Sequence, residues 1–347
     1  MAETTYRGRP AVSIENRQLR VTVLRSGGHV AEITDKSSGL NPLWSPKWRS
    51  VDPSAFDAGN AAEFGTGDDA KLLAGIAGHN LCLDLFGGPS DDEFRAGMTP
   101  HGEGSVSDFD VRAEGEELVQ YATMPLAQIE FQRRIRLQEC TVRFEESVTS
   151  LAAFDRPIAW TQHVTLGEPF LERGETEFRT SGTKSMVFEG QFGSDDYLRA
   201  GAEFDWPMAP GADGSSVDLQ RFTGHGKSGA FTTHLMDPAN EQAFFAAFSR
   251  RFNLVFGYVW KRRDFPWMGI WEENHSRTYP PWKGQELTRG MEFGVSPMPE
   301  SRRAMIERGT LFGERTYRWL PARGRLRAEY YAVLRKANEI PSILTAG

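Results

Sequence analysis

The chain is short of the features that announce most chemistries. Only two cysteines occur in 347 residues, Cys82 and Cys140, and neither stands at metal-ligand spacing, which excludes a disulfide framework and a cysteine zinc site. Two reduced thiols buried in apolar stretches are expected instead. No apolar run approaches the ~20 residues that a membrane-spanning helix needs. Residues 1–10 are polar and lack the apolar segment of a signal peptide. With the reduced thiols, this gives a cytoplasmic location as the expectation. Charge of one sign is nowhere concentrated: 40 Lys and Arg are interspersed with 47 Asp and Glu, for a net charge of −7. Neither nucleic acid nor an anionic membrane is therefore expected as a partner. The phosphate-cradling GxxxxGK, the dinucleotide GxGxxG, the zinc-binding HExxH and the GxSxG elbow are all absent. No internal repeat, low-complexity tract or linker divides the chain, so one domain over residues 1–347 is expected.

What the sequence does have is period-two alternation and tryptophan. Leu19, Val21 and Val23 alternate with Arg20 and Thr22, and a Gly27-Gly28 turn leads into a second strand. Ile129, Phe131, Ile135 and Leu137 share one face, and Cys140, Val142, Phe144 and Val148 share a face of the next strand. Further strands fit 158–166, 186–192, 230–236, 243–260, 267–273 and 290–296. A short helical turn fits 302–308, and 325–335 reads as strand. Residues 50–70 and 86–108, rich in Gly, Asp, Ser and Pro, read as loops. Many strands, few helices and long loops predict an all-β fold of two large antiparallel sheets packed as a sandwich. Nine tryptophans is a high number, and several crowd between Trp260 and Trp282, where they fill core or build a binding surface.

Four stretches place polar groups where a ligand could meet them. In IAWTQHVTL (158–166), alternation sets His163 between Thr161 and Thr165 on the face opposite Trp160 and Val164. A histidine there is either a surface residue or a proton donor and acceptor near neutral pH. In RGMEFGVSP (289–297), Glu292 lies opposite Met291 and Phe293, flanked by Gly290 and Gly294. Paired glycines in a strand read either as a slot for close approach or as a β-bulge. In FPWMGIWEENH (265–275), Trp267, Trp271 and Glu273 share a face with His275, and Trp282 follows in a stiff Pro-Pro-Trp loop. Tryptophan beside carboxylate and histidine suits a sugar, whose flat apolar face stacks on the ring while its hydroxyls need donors and acceptors. A tryptophan-rich core strand is the other reading. Finally, His101 sits in a proline- and glycine-framed loop, TPHGEG (99–104).

In this order, the four stretches resemble the galactose mutarotase (aldose 1-epimerase) family. The opening SGGHVAEITDKSSGLNPLW is similar to the family's start, and His101-Gly102 resembles its HGG segment. His163 in TQHVTLG resembles the HPYFNL histidine, and Glu292 in RGMEFGVSP resembles the late glutamate. The resemblance spans roughly residues 11–335. It implies a galactose mutarotase-like β-supersandwich that binds a monosaccharide or other small carbohydrate and needs no cofactor and no metal. His163 would be the general acid on the ring oxygen and Glu292 the general base on the anomeric hydroxyl. His101, Trp267, Trp271, Glu273 and Trp282 would contact the sugar. The family's Asn-Arg pair has no clear match; in AGHNLCLDLFGG, His79 and Asn80 stand where its arginine is expected, and Asp237 in HLMDP is the candidate for its substrate-binding aspartate. A carbohydrate-binding protein without catalysis is one rival. A glycoside hydrolase or lyase pairing Glu272 or Glu273 with Glu292 is the other.

Overall fold

Alternating runs in this sequence form two large antiparallel sheets. The computed structural model describes residues 1–191, 193, 195–222 and 226–346. One sheet has 12 strands and the other has 8. The centre of the larger sheet carries the neighbours His79–Asp84, Arg156–Gly167, Leu287–Gly294, Trp267–Asn274 and Ser228–Met236, in that order. The smaller sheet runs through Leu254–Lys261, Arg325–Lys336, Thr141–Ser150 and Ile129–Gln138. Trp160, Val164, Ile270 and Phe293 of the larger sheet meet Phe131, Phe144, Tyr258 and Tyr330 of the smaller one in a single core cluster. This is the predicted all-β sandwich. Among the described residues, no helix is long and apolar enough to cross a membrane.

Several expected boundaries are corrected. The run 243–260 is a hairpin, Gln242–Ser249 and Leu254–Lys261, broken where Asn253 takes a positive φ of 50°. The strand expected at 186–192 is Gly182–Val187, displaced towards the N-terminus, and residue 192 lies outside the described residues. Cys140 sits half-buried in the turn ahead of Thr141–Ser150, rather than buried on its face, whereas Cys82 is buried and both thiols are free. The loops hold short helices at Ala61–Phe64 and Asp91–Arg95, the latter opened by a capping box between Ser90 and Glu93.

The core contains a polar network that the apolar faces conceal. Arg133 and Glu146 point inward beside Phe131 and Phe144, and Arg133 Nε lies 2.6 Å from Glu146 Oε1 with both side chains buried. Glu146 also accepts from Gln162 Nε2 at 2.7 Å, Trp160 Nε1 at 3.1 Å and the Tyr330 hydroxyl at 2.6 Å. His79 joins this network, 3.0 Å from the Tyr258 hydroxyl and 2.9 Å from Gln162 Oε1.

Burial holds a set of histidines neutral. It lowers His29 and His234 to about 3 and His101 to about 4, and it carries His79 and His163 well below the usual 6.5. The unfolded chain takes up protons at these sites from pH 6.5 downward and the folded chain does not, so their contribution is intact above 6.5 and lost as pH falls. Each can remove up to about 1.4 kcal/mol per pH unit. Urea midpoints should fall steeply between pH 6.5 and 4; a flat profile across that window would contradict the burial of these rings in neutral form.

Candidate active site

Strand register builds the site. Asn80 pairs with His163, His163 with Glu292 and Glu292 with Gly269, so one row crosses four neighbouring strands and its side chains share a face. The alternation that buries Trp160 and Gln162 turns His163 outward from the sandwich core. His163 Nε2 stands 3.0 Å from Glu292 Oε1. The approach is off the line of a hydrogen bond, and Glu292 Oε1 remains a buried acceptor with no hydrogen-bond partner.

The glycines around Glu292 serve the protein's own side chains. A Cβ at Gly290 would lie 2.4 Å from Glu292 Oε1, and one at Gly294 would lie 2.2 Å from Thr161 Oγ1. A Cβ at Gly269 would meet the Phe231 ring at 2.6 Å. The expected slot for a ligand is therefore filled, and no β-bulge is present, because register runs unbroken from Thr161–Gly294 to Gly167–Thr288. Gly290→Ala is expected to leave the melting temperature within a few degrees, since only the end of a flexible side chain must yield. A displacement of about 1 Å at a reacting group can cost ~10²-fold in rate, so the reaction proposed below should fall steeply, as anomer-exchange kinetics and a thermal melt on the same sample would check.

His101 is held over this row by its loop. Leu83 N–H donates to His101 O at 2.9 Å and Gly104 N–H donates to Leu83 O at 3.1 Å. Gly102, at φ 73°, lies so close that a Cβ would sit 2.3 Å from Leu83 O, hence glycine. The His101 and His163 rings are 4.6 Å apart. Trp271 and Trp282 form the adjoining wall, 6.0 Å apart, and behind it Trp44 stacks on Trp282 at 5.9 Å and Trp48 meets Trp282 edge-on at 5.0 Å. The Arg277 guanidinium caps the wall, 4.8 Å from the Trp282 ring.

His101, His163, Glu292, Trp271, Trp282 and Arg277 line a cleft of about 530 Å³ whose other walls include Leu72, Phe86, Phe188 and Phe231, with Asp68 and Asp69 also in the lining. Burial pushes Glu292 well above the usual carboxylate range. Burial first, then the neighbouring His101, pushes His163 well below its usual value. The cleft thus offers a carboxyl group that burial inclines to keep its proton, beside a neutral imidazole: two groups able to exchange protons with a bound molecule. Among the described residues, no cluster of three or more His, Cys, Asp or Glu is placed to hold a metal ion.

Of the residues singled out from the sequence, His101, His163, Glu292, Trp271 and Trp282 line this one cleft. Asn80 stands behind it, with Nδ2 3.3 Å from His163 Nδ1. Glu273 accepts from the backbone N–H groups of Ser276 and Arg277 and pairs with Arg277 at 3.5 Å, shaping the rim. Three others are not brought in. His79 alternates with Asn80 and so faces the interlayer core. Trp267 turns its Nε1 to Arg315 O at 2.7 Å, away from the cleft lining. Asp237 occupies the turn after Ser228–Met236, accepting from Ala239 N–H and Asn240 Nδ2, each at 2.9 Å. Sequence reasoning missed Trp44 and Trp48 as the residues packed behind Trp282, although two tryptophans four apart in a proline-containing loop were a usable signal. It also missed Arg277 and Phe231, which nothing local marks.

No protein-family model matches the sequence, and no curated protein sequence matches it. Solved structures do. A protein proposed to be an aldose 1-epimerase from Klebsiella pneumoniae superposes with a TM-score of 0.67 over 95% of this chain and 80% of its own, at 15% identity. A galactose mutarotase-like protein from Clostridium acetobutylicum gives 0.60 over 96% and 98%, at 13% identity. A galactose mutarotase related enzyme from Lactobacillus acidophilus gives 0.57 over 95% and 99%, also at 13% identity. At such identities the agreement is one of architecture, and it is extensive: the chain has the galactose mutarotase-like fold.

Proposed function

We propose that this chain is an aldose 1-epimerase, interconverting the α and β anomers of a monosaccharide by proton transfer through Glu292 and His163. The observation that carries the reading is a set of buried polar atoms without hydrogen-bond partners on residues of one aromatic cleft. They are Trp271 Nε1, Trp282 Nε1, His101 Nδ1 and Glu292 Oε1. Unsatisfied buried polar atoms are costly, and a ligand rich in hydroxyl groups is the kind of molecule that would satisfy these four. The tryptophan faces suit the apolar side of a pyranose.

The adjacency of His163 and Glu292 fits this chemistry better than an acid and a base on opposite sides of the substrate. The anomeric hydroxyl and the ring oxygen are bonded to the same carbon, so one sugar above the pair can present both. Glu292, ionised, takes the hydroxyl proton while His163 Nε2–H donates to the ring oxygen and the C1–O5 bond breaks. The C1–C2 bond rotates, and closure on the other face reverses both transfers. Galactose mutarotase-like neighbours support the reading at the level of fold. The hydrolase alternative loses its carboxylate pair: Glu272 accepts from the Tyr197 hydroxyl and pairs with Arg289 at 3.2 Å on the opposite strand face, and Glu273 is bound to its own turn. Optical rotation of freshly dissolved α-glucose and α-galactose should relax faster with the protein than in buffer. Binding without acceleration would leave a non-catalytic sugar-binding protein.

A further inference from the structure

Behind His163, on the side away from the cleft, lies a short polar chain with no part in the reaction just described. The Ser105 hydroxyl, fully buried, lies 3.0 Å from Asn80 Oδ1 and 2.9 Å from Leu81 O, and its proton is shared between these two acceptors. With its oxygen turned to Ser105, the Asn80 amide presents Nδ2 to His163 Nδ1 at 3.3 Å. The Thr165 hydroxyl approaches the same ring nitrogen at 3.1 Å. In this orientation of the amide Nδ2 donates, so Nδ1 is the accepting nitrogen and a neutral ring carries its proton on Nε2. Nε2 is the nitrogen beside Glu292 and the cleft.

We propose that Asn80, oriented by Ser105, is a positioning residue that fixes His163 as the neutral Nε2–H tautomer and denies it the imidazolium form. The proposal rests on the epimerase reading for its catalytic meaning, though not for its structural content. An N–H donor facing Nδ1 repels a proton at that position, whereas a carboxylate there would attract one. His163 would then donate to the sugar as a neutral ring, so activity need not decline as pH rises through the ordinary histidine range. Of the titratable groups around His163, all but Glu292 act with this device or leave it unopposed; Glu292, when ionised, favours an imidazolium 3.0 Å away. His101, His79 and His29 each disfavour an imidazolium, Cys82 is buried and kept protonated, and Glu292 is the one acid in contact.

The test is 15N NMR of the imidazole nitrogens of His163 in the intact protein, read alongside the pH dependence of anomer exchange. In the wild type, Nδ1 should show the shift of an unprotonated, accepting nitrogen and Nε2 that of a protonated one, with no titration between pH 5.5 and 8. Asn80→Asp should place a proton on Nδ1, raise the histidine ionisation into that window and add a decline at alkaline pH to the rate profile. It should lower kcat ~10-fold or more with KM little changed. Ser105→Ala, which frees the amide to turn over, should give a mixture of tautomers and provides a second variant if Asn80→Asp does not fold. A wild-type spectrum with the proton on Nδ1, or an Asn80→Asp variant whose spectrum and profile match the wild type, would overturn the proposal. Because the spectra need no turnover, a protein that catalyses no exchange would defeat the epimerase reading while still deciding the tautomer.

Discussion

Glu292→Gln is expected to slow anomer exchange by about 10²–10⁴-fold, the usual contribution of a positioned acid or base, while sugar binding stays within a few-fold of wild type. The amide keeps the shape of the carboxyl and its place over Gly290, so the cleft and its tryptophans are unchanged. It cannot take a proton from the anomeric hydroxyl. In the wild type, burial raises the ionisation of Glu292, so the basic form accumulates only as pH climbs through that raised value, and the rate should climb with it. Stability moves the other way. A carboxyl group with a raised folded-state ionisation favours folding below the unfolded value, and the fold loses that contribution as pH rises through the folded value. The Gln variant carries no such loss and should be at least as stable as wild type at pH 8, measured by urea unfolding. A variant that is inactive but more stable is the signature of a group retained for chemistry, and an inactive variant that is also unstable would point to a structural role.

The largest effect on stability is expected far from the cleft surface, at Glu146. Glu146→Ala removes the acceptor of Arg133 Nε, Trp160 Nε1 and Gln162 Nε2 and one of the two acceptors of the Tyr330 hydroxyl, and leaves the buried Arg133 guanidinium without its carboxylate. Breaking a buried ion pair by removing one member typically costs about 3–5 kcal/mol. A loss under about 1 kcal/mol in urea unfolding would show that the network is not closed in solution. Replacing Arg133 by Met and Glu146 by Leu together should recover much of the loss, since the desolvation of both charges disappears with them. Gln162 links this network to the site, because it bonds Glu146 on the core side of the strand that carries His163 on the other. Glu146→Ala should therefore also lower the exchange rate.

Most of the sandwich and part of the candidate cleft were legible in the sequence, and the failures share a cause. Period two assigns a residue to a face and says nothing of which face a polar exception has joined. Ile129, Phe131, Ile135 and Leu137 read as one apolar face, yet Arg133 belongs to the same row and is buried with it; Glu146 and Gln162 interrupt two other apolar rows in the same way. Each gap looked like noise in its own strand, and only pairing between sheets turns three gaps into one network. His79 and Asn80 show the same limit at closer range. They are neighbours in sequence and were read as a unit, but alternation sends one into the core and the other to His163. Trp267 shares its face with Trp271 and still misses the cleft, because it sits four residues along a strand longer than the cleft is wide. His163, Glu292 and His101 were recoverable because each is marked locally, by threonines, by glycines or by a Pro-His-Gly turn. Arg277 and Phe231 reach the same cleft from other segments, and no local pattern announces that.

The most direct test of the central claim is exchange NMR between the α and β anomer signals of a monosaccharide at equilibrium, recorded with wild-type protein and with Glu292→Gln at equal concentration. Cross-peaks between the anomers that grow with wild-type concentration and vanish to the buffer level with the variant are the expected result. Equal cross-peaks from both proteins, or none from wild type across a panel of neutral aldoses that it binds, would contradict the account.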